Sequence, residues 1–406
     1  MKILHTADWH LGHTFYGYDR HEEHEHFLGW LLHTINEQQP DALFLSGNTF
    51  DSPFPSARAE KIFYDFLCQV TQENQGIQII LIGCVDEFPL HLSVARGLFS
   101  RLGISIRSII KQNETGHIDF EDLLIPITSR TNPDDKALVL AVPSLYAKDY
   151  PQGNDASASQ RIRLFINELE ETARNKFSKD LPLLLMTCLP PTNNTALIDN
   201  EQTPAQVSFD WSDLANRFSY VALGGDPIPQ KVEKFQNVRY PGSPLPLSFT
   251  ETNSDYGVYS VTLNANVSSV DWCHYEPLRQ MISIPEKDTA GFEEVLHLLS
   301  KLPKNSKTQP FDNASYLEVK ILEQHPTPSM LQAISRVLDE RSVRLCRIRR
   351  VRPNGEELNN IIPIQDISGS VQPAQLARCA YKQAYQEEMP DEIARLFAQA
   401  KREATV

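Results

Sequence analysis

Three short apolar segments, at residues 2–6, 42–45 and 77–82, alternate with two amphipathic stretches. That alternation restricts the first hundred residues to an α/β sheet. Residues 22–38 place Phe27, Trp30, Leu31 and Ile35 at helical spacing. Ser56 is positioned to cap a second helix running to Gln72, with Ile62, Phe63, Phe66 and Val70 inward. A third helix is expected near 92–102. Successive β-α units of this kind place ligand sites at the carboxyl ends of their strands.

Beyond this segment the pattern becomes mixed. Strands are expected near 121–126, 137–142, 183–187, 219–223, 256–263 and 267–272, with one amphipathic helix over 159–177. A break falls at Tyr275-Glu276-Pro277. Residues 279–351 then read strand, helix, strand, helix, strand. Polar Pro353-Asn354-Gly355 leads into two helical stretches, 373–387 and 391–402, split by Pro390. The domain reading is therefore 1–276, 277–353 and 354–406.

Charge narrows the function. The chain carries 38 Lys+Arg against 52 Asp+Glu, a net −14 over 406 residues. This excludes a stand-alone histone-like nucleic-acid binder, though not a local basic patch. No apolar run approaches the ~20 residues that a membrane helix needs. The N-terminus turns polar too early for a signal peptide. Six cysteines, at 68, 84, 188, 273, 346 and 379, include no CxxC pair. They read as neither a disulfide framework nor a zinc finger, and they fit a reducing compartment. A soluble, cytoplasmic protein with no membrane partner is expected. No Gly-x-x-x-x-Gly-Lys-Ser/Thr loop is present.

The strand ends carry the chemistry. Asp8-Trp9-His10 follows the first strand, Gly47-Asn48-Thr49-Phe50-Asp51 the second, and Gly83-Cys84-Val85-Asp86 the third. An Asp and a His two residues apart at a strand end can ligate one hard or borderline cation.

Residues 1–11 (MKILHTADWHL), the element spacing after them, and residues 240–251 (YPGSPLPLSFTE) resemble the SbcD family. These are bacterial nuclease subunits of the calcineurin-like metallophosphoesterases that work with the SbcC ATPase. The resemblance implies a metallophosphoesterase-like four-layer α/β sandwich with a small α+β capping domain and a helical C-terminal tail. It also implies two Mn²⁺ or Mg²⁺ ions that activate a water and neutralise charge in the in-line transition state.

The five family motifs carry over unevenly. Asp8 and His10 keep the first. Asn48 stands where the second has a bridging aspartate, while Asp51 is retained. In the third, Cys84 replaces the ligand asparagine and Val85 occupies the catalytic-histidine position. The fourth, Gly-His, reads Thr187-Cys188. The fifth, Gly-His-x-His, reads Gly224-Gly225-Asp226-Pro227. Twelve histidines do not repair this, because seven lie in the first 33 residues and none between 118 and 273. Asp8, His10 and Asn48 remain as a metal-site remnant, with no cofactor expected. Asp8, His10, Cys84 and Cys188 form an alternative zinc set, against packing of the two cysteines as small apolar fillers.

Two other features suggest partners. Residues 341–352 hold six arginines, of which Arg344, Arg347, Arg349 and Arg350 read as DNA contacts, against pairing with Glu318, Glu323 or Asp339. Ile393, Leu396 and Phe397 lie on a helical apolar stripe. By resemblance that stripe docks on an SMC-type SbcC-like ATPase. The histidine-rich segment 21–26 reads as a solvated helix end whose acids complement the helix dipole. The resulting expectation is a catalytically degenerate subunit of a DNA-end processing complex, homodimeric within a heterotetramer. The alternative is an active Mn²⁺-dependent 3′–5′ exonuclease and endonuclease.

Overall fold

A computed structural model describes most of residues 1–351 together with Pro390. Residues 85–95, 150–156, 190–208, 305–312, 323–327, 352–389 and 391–406 lie outside the description, as do a few shorter stretches. The chain divides into two compact units, Met1–Leu278 and Arg279–Val406.

The first unit begins with β1 (Lys2–Thr6), a hairpin of β2 (Thr14–Phe15) and β3 (Tyr18–Asp19), α1 (His21–Gln38) and β4 (Ala42–Ser46). It continues through α2 (Ala57–Glu73), β5 (Gln78–Ile82), α3 (Arg96–Phe99), β6 (Ile104–Arg107), β7 (Leu124–Thr128) and β8 (Lys136–Val142). Next come α4 (Ala158–Lys176), β9 (Leu183–Cys188), β10 (Tyr220–Gly224), β11 (Gln230–Lys231) and β12 (Val238–Tyr240). A long antiparallel pair, β13 (Tyr256–Asn264) and β14 (Val267–Tyr275), closes it. Local chemistry sets the helix starts. The Ser56 hydroxyl accepts from the Ala59 amide at 3.2 Å, and Ser157 with Gln160 forms a reciprocal capping box.

These strands form two six-stranded sheets, ordered β14-β13-β1-β4-β5-β6 and β11-β12-β10-β9-β8-β7. Strands β1, β4, β5 and β6 run parallel, as do β8, β9, β10 and β12. Strand alternation builds the layers. Ala42, Phe44, Ile80 and Ile82 point inward to meet Val139, Ala141, Leu184, Met186 and Ala222 of the other sheet. Leu43, Leu45 and Leu81 point the other way, joining Phe27 and Leu31 of α1 and Phe63 and Phe66 of α2. Leu185, Val221 and Leu223 meet Ile162, Phe165 and Leu169 of α4 on the far side. The result is a helix-sheet-sheet-helix sandwich of four layers.

Polar ties cross between the sheets. His5 on β1 contacts the Tyr220 hydroxyl at 2.9 Å and the Ser46 hydroxyl at 3.0 Å, all three side chains being buried. Beyond them, β4 and β10 come so close that a Cβ on Gly224 would lie 1.4 Å from the Ser46 carbonyl oxygen. Only glycine fits there.

The start of α1 differs from its expected solvated form. His21, Glu23 and His24 are buried, and Glu23 pairs with Arg20 at 2.9 Å. Arg20 also donates to the Pro246 carbonyl at 2.5 Å and lies over the Phe15 ring. The acid at 23 therefore neutralises a buried guanidinium; of the three acids, only Glu22 and Glu25 face solvent. No helix among the described residues is long and apolar enough to cross a membrane.

The second unit alternates β15 (Met281–Ile284), α5 (Phe292–Leu299), β16 (Ser315–Leu322), α6 (Pro328–Leu338) and β17 (Val343–Val351). Its sheet, ordered β15-β16-β17, is parallel throughout and packs Leu317, Val319 and Ile348 against Val295, Leu299 and Ile334.

Candidate functional site

Five strand ends from both sheets supply the candidate site: those of β1, β4, β5, β9 and β10. The loop after β1 is laid along the loop after β4 by backbone bonds. Asp8 N donates to Gly47 O at 3.1 Å, His10 N to Asn48 O at 2.9 Å, and Leu11 N to Thr49 O at 2.9 Å. Asp8, His10 and Asn48 all take positive φ, at 51°, 47° and 43°. Non-glycine residues seldom adopt this conformation, and such departures concentrate at functional sites. The backbone that aims ligands is thus in place.

The side chains do something else with it. Asn48 donates its amide to Asp8 Oδ1 at 2.8 Å. The Gly225 backbone N–H, at the position of the fifth motif's first histidine, donates to Asp8 Oδ2 at 2.9 Å and Oδ1 at 3.1 Å. Burial pushes the Asp8 carboxyl up to about 7, against the lowering influence of His10 and of these two donors. His10 turns its Nδ1 toward Asp51 Oδ1 at 3.2 Å. Asp226, also raised by burial, is held by the Ile228 amide at 2.9 Å and by Gln230 Nε2 at 2.6 Å.

Cys84 and Cys188 are joined in a disulfide, with their Cα atoms 5.8 Å apart. This corrects the expectation that the cysteines are unpaired, and it takes away the thiolates on which the alternative zinc set depended. The reason is topological. The two residues are 104 positions apart, yet Cys84 lies two residues beyond β5 and Cys188 ends β9, strands of the two facing sheets.

Does this donor set fit a dinuclear metal centre? Both Asp8 oxygens already accept N–H groups. The Asn48 amide faces Asp8 with its nitrogen, the only orientation that avoids setting two oxygens together, and its own Oδ1 is buried without a partner. The sulfurs are bonded to each other. Among the described residues no group of three or more His, Cys, Asp and Glu side chains is arranged to hold a metal ion. The residues do not fit the pair.

Comparison with known proteins agrees with the layout. Residues 277–401 match the family SbcD_C, described as the type 5 capsule protein repressor C-terminal domain. A Rhodobacter capsulatus protein, named as the D component of the nuclease SbcCD, is 28% identical over 367 residues, covering 87% of this chain and 88% of that protein. Over most of its length the chain is similar to SbcD-type proteins. The equally named protein of Escherichia coli K12 is 25% identical over 376 residues, covering 88% and 87%. A solved structure, TT1561 of Thermus thermophilus, aligns with 67% of this chain at 16% identity and a TM-score of 0.34.

The expected site residues converge only in part. Asp8 and Asn48 meet directly, and His10 lies beside them on the same loop pair. Val85 lies outside the described residues, as do Ile393, Leu396 and Phe397. Arg344, Arg347, Arg349 and Arg350 fall on β17, an edge strand. Arg347 pairs with the buried Glu318 at 2.5 Å, so at this position the internal pairing holds. Residue-type reasoning did not find the Gly225 amide, because backbone donors carry no side-chain signal. The Gly224-Gly225 doublet was the trace it left.

Proposed function

We propose that this chain is an SbcD-type, non-hydrolytic subunit of a DNA-end processing complex, assembled with an SbcC-like coiled-coil ATPase. In this reading it forms a homodimer within a heterotetramer, its tail docks on the ATPase, and β17 contributes arginines toward DNA. The observation that carries the reading is the Asp8 carboxylate, taken up by the Asn48 side chain and the Gly225 backbone. A carboxylate whose two oxygens both already accept N–H groups has given up much of its capacity to ligate a bridging cation. Asn48 supplies no negative charge to hold two dications together. The relatives named as components of SbcCD support the partner class.

The test is cleavage of linear and hairpin DNA in Mn²⁺ by the purified chain, alone and with an SbcC-like ATPase. The expected result is no cleavage from the chain alone, and co-purification with the ATPase. Cleavage that His10→Ala abolishes would overturn the reading.

A further inference from the structure

We propose that the Cys84–Cys188 bond is a redox-governed clamp that replaces the missing metal ions as the tie between the two sheets at the site. In the family pattern these two positions hold side chains that grip a cation from opposite sheets. Here they grip each other. The 5.8 Å Cα separation is ordinary for a disulfide, so the backbone need not move to form it.

The surroundings are shaped around the bond. A Cβ on Gly47 would lie 2.6 Å from Cys84 Cβ and 3.2 Å from both sulfurs. A Cβ on Gly225 would lie 2.9 Å from Cys188 Sγ and 3.5 Å from Cys84 Sγ. Both glycines take positive φ, near 90°, so backbone and space alike exclude a side chain there. The sulfurs thus occupy a cradle walled by one glycine from each sheet. Both cysteines are buried.

The bond is the last of four ties running outward along the seam. His5–Tyr220 and the close approach of Ser46 to Gly224 come first. Asp8–Gly225 and Cys84–Cys188 follow at the strand ends. The first three are non-covalent, so the outermost tie is the one that redox chemistry can make or break.

Closure removes two electrons and two protons from the thiols. The acceptor is a low-molecular-weight disulfide, which leaves as two thiols after a mixed-disulfide intermediate; a dithiol reductant reverses the step. Because the loop closed is long, its loss restores much conformational freedom to the unfolded chain.

The clamp rests on the non-hydrolytic reading of the site, but the two fail separately. Mn²⁺-dependent cleavage overturns that reading, whereas unlinked cysteines overturn the clamp alone. The experiment uses the full chain, prepared without reductant and quenched with an alkylating agent. Unreduced digestion with mass spectrometry should yield a linked peptide pair carrying Cys84 and Cys188, lost after phosphine treatment. Phosphine should lower the melting temperature by about 5–15 °C. The double variant Cys84→Ala/Cys188→Ala should melt at the lower temperature and ignore phosphine. Full alkylation of both cysteines before reduction overturns the proposal. So does a wild-type melting temperature that phosphine leaves unchanged, a measurement that stands even where the double variant fails to fold.

Discussion

Asn48 donates a 2.8 Å hydrogen bond to Asp8, so the pair that the metallophosphoesterase pattern would join through a cation is joined here by a proton on nitrogen. The bond sets the first prediction. Asn48→Asp restores a family side chain but sets a second carboxylate against a buried one. At pH 8 the variant should lose about 2–4 kcal/mol of stability. The loss should shrink at pH 5, where one of the two acids takes up a proton; a raised carboxyl pKa in the fold makes stability grow as pH falls. Urea unfolding at both pH values checks this, and equal losses would sink it.

The seam between the sheets predicts a contrast between two glycines. Gly224→Ala would drive a Cβ to 1.4 Å from the Ser46 carbonyl oxygen, where neither backbone can yield. A loss of roughly 3 kcal/mol or more, or failure to accumulate soluble protein, is expected. Gly29, inside α1, has nothing within 4 Å of its hypothetical Cβ. Gly29→Ala should stabilise by roughly 0.5–1 kcal/mol. Denaturation midpoints decide both, and the same sign for the two variants would overturn the assigned packing.

Buried histidines give the fold an acid dependence with a definite sign. Burial lowers His5 to about 3 and His13 to about 4, from an ordinary 6.5. In the unfolded chain both bind a proton below 6.5, while the folded chain keeps them neutral. Their contribution is therefore intact above pH 6.5 and falls away as pH drops toward 4 and 3. Asp8, raised to about 7, acts in the opposite direction over the same range, so the net slope is a difference. His5→Gln isolates one part. Between pH 7 and pH 5 it should remove about 2 kcal/mol of the wild type's acid loss. An unchanged pH profile in the variant would refute the buried neutral state of His5.

How far the sequence disclosed this molecule depends on the range of the interactions concerned. Ser56 as a cap and the inward Phe63 and Phe66 were readable because a helix start and a helical period are local. The strand-end position of Asp8 and His10 was readable for the same reason. The Cys84–Cys188 bond was not, since 104 residues separate partners that only the stacking of two sheets brings together. His24 and Glu23 misled for a related reason. An acidic first turn looks alike whether it faces water or a buried arginine, and one of the contacts that bury Arg20 is to the Pro246 carbonyl, more than two hundred residues away.

The arginine strand yields the last prediction, in which fold and DNA contact must be separated. Arg347 neutralises Glu318, which is 2% exposed and also accepts from the Ser283 hydroxyl at 2.9 Å. Arg347→Ala strands a buried carboxylate and should cost about 3–5 kcal/mol, lowering the melting temperature of the second unit. Weakened DNA binding in that variant would then report unfolding as much as lost contact. Arg349 stands opposite Lys320 in the strand register, where two like charges gain nothing from each other. Arg349→Ala should reduce the salt slope of DNA binding by roughly one. Binding measured from low to moderate salt distinguishes the two. A salt slope unchanged in Arg349→Ala would remove this residue from the proposed phosphate contacts, and an unchanged melting temperature in Arg347→Ala would show Glu318 to be otherwise satisfied.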